Sequence, residues 1–132
     1  MKVLALDFGR ARTGVAVSDP TGTIARPLSV IEGAATEAGL RELAELVAAQ
    51  GVERVVVGLP LTLRGERGEQ AAETERFVEA LVARLEVPVV TFDERFTTDL
   101  AEQTGSAGAA EDARAAAHLL SGYLAWSSGA PA

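Results

Sequence analysis

The chain has 132 residues, enough for one domain, and 48% of them are apolar, so it can bury a core. Its net charge of −7 argues against a passive nucleic-acid coat, which would be basic, but leaves a nuclease open. It has no cysteine, a single histidine, His118, and no apolar run of about 20 residues, which excludes disulfides, thiolate metal sites and a membrane span. Since no signal-peptide pattern is present either, we expect a cytoplasmic protein whose metal, if any, is Mg²⁺ or Mn²⁺ held by oxygen ligands.

The first part of the chain predicts three antiparallel strands. Apolar, branched or alternating runs place them over Lys2–Phe8, Thr13–Ser18 and Ile24–Ile31. The four residues from 9 to 12 are short enough for a hairpin. Pro27 places the third strand at a sheet edge or a bulge. Asp19, directly before a proline, is interpreted as a turn aspartate.

The rest of the chain alternates between helical and strand patterns. The predicted elements are a helix over Glu37–Gln50, a strand over Arg54–Leu59, a helix over Glu69–Leu85, a strand over Val87–Phe92, a short helix over Thr97–Gln103 and a last helix over Glu111–Trp126. A small-residue loop, expected to be mobile, covers Thr104–Ala110, and a tail covers Ser127–Ala132. The order β-β-β-α-β-α-β-α predicts a single α/β domain over residues 1–132 with two parallel crossovers.

Three acidic residues fall where this layout would bring them together. Asp7 ends the first strand, Glu94 follows the last strand, and Asp112 opens the last helix. In open sheets, ligands bind beyond the carboxyl ends of the strands. Carboxylates within a few ångströms of one another repel unless cations lie among them, so the pattern predicts a site for divalent ions. Two such ions about 4 Å apart can activate water and stabilise the leaving oxygen of a phosphodiester.

Each of these acids also has a structural interpretation. Asp112 is placed where it would cap the last helix. Glu94 is placed to form a surface ion pair with Arg10 or Arg95. Asp93 competes with Glu94 as the inward acid, because neighbouring residues of a strand face opposite sides of the sheet.

Arginine carries nearly all of the positive charge, and it gathers in predicted loops. The candidate nucleic-acid-binding residues are Arg10, Arg12, Arg64, Arg67 and Arg95. A guanidinium group grips phosphate through two parallel hydrogen bonds. Gly65 and Gly68, just before a helix, would expose backbone N–H groups suited to phosphate, although an ordinary loop has the same composition.

With these motifs in view, the chain resembles the YqgF/RuvX family of the ribonuclease H-like superfamily. Four segments carry the resemblance, in order and across nearly the whole chain. They are Leu6–Asp19, Gly58–Leu61 with the Gly65 and Gly68 loop, Asp93–Thr98 with Ala101-Glu102, and Asp112–Leu124. The first and third segments are the most specific.

The resemblance implies a ribonuclease H-like fold, with a five-stranded mixed sheet flanked by helices. It implies that Asp7, Glu94 and Asp112 are the catalytic, metal-binding acids. Members of the family are linked to processing the 5′ end of pre-16S rRNA, and some are described as Holliday junction resolvases. Two departures stand out: Phe96 replaces a usual leucine, and residues 104–112, often basic in the family, hold no lysine or arginine.

The sequence therefore predicts an endonuclease that uses Mg²⁺ or Mn²⁺, as two ions, to cut structured RNA or a four-way DNA junction and leave a 5′ phosphate. A resolvase would work as a two-fold dimer, so a homodimer is one prediction. Two alternatives remain at this point. The chain has the strand, Asp-x-Gly and hairpin order of a nucleotide-binding phosphotransferase lobe, and its acidic helices would suit a non-catalytic adaptor in ribosome or transcription complexes.

Overall fold

A five-stranded sheet with helices on both faces organises the molecule, and the computed structural model describes it over residues 1–61, 68–94 and 109–128. The elements are β1 (Val3–Asp7), β2 (Arg12–Ser18), β3 (Ala25–Glu32), α1 (Glu37–Gln50), β4 (Arg54–Leu59), α2 (Glu69–Arg84), β5 (Val89–Asp93) and α3 (Ala109–Ser127). The short helix predicted over Thr97–Gln103 lies outside the described residues. No helix within them is both long and apolar enough to cross a bilayer.

The strand order in the sheet is β3-β2-β1-β4-β5. The first three strands pair antiparallel, while β4 and β5 run parallel to β1. This arrangement confirms the predicted mixed sheet. It also puts the carboxyl ends of β1, β4 and β5 side by side at one edge, where the sequence places Asp7 and Glu94.

Pro27 lies on an edge strand and beside an irregularity, so both parts of the prediction for it are confirmed. Pro27 pairs with Ala16 of β2, whereas Val15, the residue before Ala16, pairs with Ser29. The register therefore shifts by one residue between these two pairs. A proline cannot donate to the ladder, and an edge position with a bulge avoids that loss.

The alternation of side chains along the strands divides the core into two layers. One face of the sheet packs against α1 and α2 through residues such as Leu4, Leu6, Val57, Phe77 and Leu81. The other face packs against α3 through residues such as Val3, Ala5, Val56, Phe92 and Leu120. Central strands covered on both faces read as continuous apolar runs, which is why β1 and β4 were recognisable in the sequence.

Local signals fix the ends of α1. The hydroxyl of Thr36 accepts from the backbone N–H of Gly39 (3.1 Å), and Gly51 closes the helix in the left-handed region at φ 64°. The predicted bounds of α1 and β4 are confirmed. The prediction was wrong for α3, which begins at Ala109 inside the region expected to be a loop, since alanine is the strongest helix former.

Asp19 is a turn residue, as predicted. Its Oδ1 atom accepts from the backbone N–H groups of Thr23 (2.7 Å) and Ile24 (2.9 Å), and its Oδ2 atom accepts from the hydroxyl of Thr21. These hydrogen bonds, led by the one from Ile24, hold the pKa of Asp19 well below its ordinary value. The carboxylate therefore organises the β2–β3 turn and is committed to it.

Candidate active site

Asp7 lies on the α3 side of the sheet, at the carboxyl end of β1. Val3 and Ala5 belong to the core layer under α3, so the two-residue period of the strand puts Asp7 on the same side. Its side chain is half-buried at the strand end. An apolar strand thus carries a carboxylate to the edge of the sheet where three parallel strands finish.

Glycines flank Asp7 on both neighbouring strands. Gly14 of β2 is its direct partner in the antiparallel pair. Gly58 of β4 follows Val57, which pairs with Leu6. By alternation from Ala16 and Val56, both glycines face α3 as well, so the sheet has no side chain on either side of the Asp7 carboxylate.

The space above Gly14 is taken by the first turn of α3. A β-carbon at this position would collide with the backbone carbonyl of Asp112 and lie 3.1 Å from the nitrogen of Ala113. The start of the helix therefore rests directly on β2, opposite Asp7. Asp112 is the fourth residue of α3, so its interpretation as the N-cap of that helix was wrong.

The space above Gly58 is taken by the side chain of Glu94. A β-carbon on Gly58 would lie 2.6 Å from Oε1 and 2.9 Å from Cγ of Glu94. Asp93 follows Phe92, which packs under α3, so the alternation of β5 turns Asp93 to the opposite face. Of the two neighbouring acids, Glu94 is the one that shares a face with Asp7.

The Asp112 carboxylate is oriented by Arg12. The Nε atom of Arg12 lies 2.9 Å from Oδ2 of Asp112, and both side chains are about one-third exposed, at 38% and 32%. Oδ2 itself is buried and receives no well-directed hydrogen bond, so its contact with the guanidinium is one of charge alone. A buried carboxylate oxygen without a directed donor retains the capacity to bind a cation.

A cleft of about 590 Å³ opens at this edge of the sheet, and Asp7 and Glu94 both line it. The other lining residues come from the β1–β2 loop, from the end of β4 and from the first turns of α2: Phe8, Gly9, Arg10, Pro60, Glu69, Gln70, Glu73 and Thr74. Over residues 1–61, 68–94 and 109–128, no three acidic or histidine side chains approach closely enough to form a metal site as they stand. The convergence of all three acids on one ion therefore stays a prediction.

The family is identified by comparison with known proteins. The sequence model of the family described as "RuvX: Holliday junction resolvase" matches residues 1–126. This chain belongs to the RuvX family. The family predicted from the Leu6–Asp19 and Asp93–Thr98 motifs is confirmed, and so is the predicted enzyme class, a nuclease acting on phosphodiester bonds.

Curated relatives of this RuvX chain share one name, "Putative pre-16S rRNA nuclease". The relative from Chloroflexus aggregans is 54% identical over 101 residues, which cover 76% of this chain and 71% of that protein. The relative from Desulforamulus reducens is 36% identical over 132 aligned positions, covering 94% of this chain and 96% of its own. The second alignment reaches nearly end to end in both proteins.

Among solved structures, Thermus thermophilus RuvC in complex with a Holliday junction substrate superimposes with a TM-score of 0.62. The alignment covers 98% of this chain and 97% of RuvC, at 18% sequence identity. Identity this low shows the fold alone. It confirms the predicted ribonuclease H-like architecture for this RuvX family member.

The two predicted arginines that the structure describes both bind carboxylates. Arg12 contacts Asp112, and the Nε atom of Arg10 donates to both carboxylate oxygens of Glu73, at 3.1 and 3.0 Å. The hydrogen bond from Arg10 lowers the pKa of Glu73, and in return Glu73 raises the pKa of Arg10. The remaining candidates, Arg64, Arg67 and Arg95, lie outside the described residues.

Sequence reasoning missed the contribution of α2 to the cleft. Glu69 and Glu73 are one turn apart and lie near Arg10, and Thr74 is buried with its hydroxyl donating to the carbonyl of Gln70 (2.9 Å). The available signal was the polar i, i+4 pair in the first turns of a helix that follows the end of β4. Its partner, Arg10, lies 63 residues away in the chain, and no local pattern links the two.

Proposed function

We propose that this RuvX family member is a metal-dependent endonuclease that hydrolyses phosphodiester bonds in structured nucleic acid. Asp7, Glu94 and Asp112 are the proposed ligands of two Mg²⁺ or Mn²⁺ ions. The observation that carries the proposal is the pair of glycines beside Asp7, since one admits the Glu94 carboxylate and the other admits the backbone of Asp112. These contacts support the proposal that three acids from distant parts of the chain share one metal site at this end of the sheet.

The donor set suits a hard divalent cation. Carboxylate oxygens are the ligands that Mg²⁺ and Mn²⁺ prefer, and the chain has no cysteine that would favour a softer metal. The buried Oδ2 atom of Asp112 receives no directed hydrogen bond from Arg12, whose Nε lies 2.9 Å away, and would bind such an ion beside that guanidinium. A bound divalent ion would stabilise the charge that develops on the phosphoryl oxygens and lower the pKa of water.

The chain's own residues have distinct tasks in this proposal. Asp7 is held by the end of β1 and is reached from the cleft. Glu94 is kept on the Asp7 side by the space over Gly58, while Arg12 holds the Asp112 carboxylate near the start of α3. Arg10, 73% exposed at the cleft, is placed to contact a backbone phosphate.

We propose pre-16S rRNA as the first substrate to examine. Support comes from the name shared by relatives at 36–54% identity, one of which aligns over nearly its full length. A four-way DNA junction is the second candidate, and the description of the family favours it. Junction resolution would call for a two-fold dimer that presents two clefts to two strands, whereas trimming of one RNA end would not.

A side-by-side cleavage assay tests this function. Purified protein is incubated with end-labelled pre-16S rRNA fragments and with a labelled four-way junction, in Mn²⁺, in Mg²⁺ and in excess chelator. We expect cleavage that requires a divalent ion and leaves 5′-phosphate ends. Metal-independent cleavage, or intact substrates in both ions at micromolar enzyme, would contradict the proposal. Symmetric cutting of the junction by a dimer, with the RNA left intact, would reassign the substrate to DNA.

A further inference from the structure

The guanidinium of Arg10 already holds an anion, and that anion belongs to the chain itself. Its Nε–H is shared between both carboxylate oxygens of Glu73, and one terminal nitrogen also contacts Oε1. Glu69 lies 4.0 Å away as a second, weaker neighbour. A carboxylate held across the fork of an arginine occupies the positions that two phosphate oxygens would take.

The two partners differ in how firmly they are held. The side chain of Glu73 is 19% exposed and sits on the second turn of α2, whereas that of Arg10 is 73% exposed on the β1–β2 loop. Both line the cleft that contains Asp7 and Glu94. Glu73 is therefore the fixed member, and the guanidinium is the member that can turn towards an incoming ligand.

We propose that Glu73 acts as an internal competitor for the phosphate-binding site of Arg10, so that nucleic acid must displace a carboxylate before it enters the active-site cleft. This inference rests on the proposed function, because it takes the cleft to be where the substrate backbone lies. The competition lowers affinity for any isolated phosphate. It favours long, structured substrates, which gain enough contacts elsewhere to offset the exchange.

Substitution Glu73→Gln tests the proposal, because it keeps the shape of the side chain and removes its charge. We expect the dissociation constant for an RNA duplex that the protein does not cleave to fall roughly two- to five-fold, which is the range set by the free energy of an exposed ion pair. Fluorescence anisotropy in about 50 mM salt, where screening is weak, measures it. We also expect KM to fall by a similar factor. The dissociation constant should also depend more steeply on salt concentration, by up to about the amount expected for one phosphate contact. In the unmodified protein, binding frees the Glu73 carboxylate, which takes up a cation, whereas the variant frees no carboxylate.

Two matched variants separate competition from a general charge effect. Glu79→Gln changes the net charge equally on the same helix, but it lies about 9 Å further along the axis and does not line the cleft. It should alter binding much less than Glu73→Gln. In an Arg10→Ala background, Glu73→Gln should give no further tightening. Equal effects of the two glutamine variants, tightening that persists without Arg10, or weaker binding by Glu73→Gln would each overturn the proposal.

A second readout is independent of nuclease action. With ¹⁵N-arginine labelling, the Nε–H signal of Arg10 should respond to inorganic phosphate at lower concentrations in Glu73→Gln than in the unmodified protein. If this shift occurs while no nucleic acid binds, the proposed function fails and the Arg10–Glu73 competition stands. If nucleic acid binds and is cleaved but the signal responds equally in both proteins, the competition fails and the proposed function stands.

Discussion

Replacing Asp7 with asparagine is expected to abolish metal-dependent cleavage while the fold survives. The substitution keeps the size of the side chain and removes the charge that a divalent ion would bind. Losing the metal's stabilisation of the transition state should raise the activation free energy by several kcal/mol, and about 4 kcal/mol corresponds to a roughly 10³-fold lower rate. Because Asp7 is only half-buried and asparagine keeps its size, the unfolding midpoint should move by less than about 3 °C, the shift that roughly 1 kcal/mol produces.

The matched control for this prediction is Asp93→Asn. It makes the same chemical change at another strand end, but β5 turns that residue to the opposite face of the sheet. Single-turnover cleavage in Mn²⁺, with thermal unfolding followed by circular dichroism, reports both quantities. We expect Asp93→Asn to retain most of the activity. Full activity of Asp7→Asn would remove the proposed site, and equal losses in the two variants would show that the position of the acid on the sheet does not matter.

Gly14→Ala is expected to cause the largest loss of stability of any single methyl group added near the site. The new β-carbon would overlap the carbonyl of Asp112 and press on the nitrogen of Ala113, which are backbone atoms of α3 and cannot rotate away. Overpacking costs about 1–3 kcal/mol even where side chains can adjust. We therefore expect a loss of about 3 kcal/mol or more in the free energy of unfolding, and loss of cleavage because Asp112 moves with the helix.

Gly58→Ala should separate the loss of stability from the loss of cleavage. The methyl group would press on the Glu94 side chain, with Oε1 at 2.6 Å and Cγ at 2.9 Å, and on Cδ2 of Leu119 at 3.0 Å. All three are side-chain atoms, and moving a side chain off its preferred rotamer costs about 1 kcal/mol. We expect a modest loss of stability and a large loss of cleavage. Gly68→Ala serves as the control, since its methyl group would meet no atom of the described residues within 4 Å. Urea unfolding measures the three free energies. A Gly14→Ala variant as stable as Gly68→Ala would contradict the close approach of α3 to β2.

The sequence predicted most of the fold because its signals are local. Thr36 and Gly51 mark the ends of α1, and the β-branched run of β4 is typical of a buried strand. Strand ends were misplaced by one or two residues where pairing with a neighbour decides them, as at Val89. The early start of α3 was missed because small residues from Ala109 onward were interpreted as loop.

The candidate site was predictable only in part. The edge where Asp7 and Glu94 meet follows from strand order, and the choice of Glu94 over Asp93 needed the faces of β5 to be known. The sequence shows that position 14 is a glycine but not which atoms lie against it, so the contact of α3 with Gly14 could not be predicted. The ion pair that ties Arg10 to Glu73 of α2 likewise depends on tertiary structure.

Manganese binding tests the central claim most directly. Electron paramagnetic resonance counts the Mn²⁺ ions bound by the purified protein and by Asp7→Asn, Glu94→Gln and Asp93→Asn, without any substrate present. Binding by the unmodified protein and by Asp93→Asn, with at least a tenfold weaker dissociation constant in the other two variants, is the expected result. Equal Mn²⁺ affinity in all four proteins would show that Asp7 and Glu94 do not hold the metal.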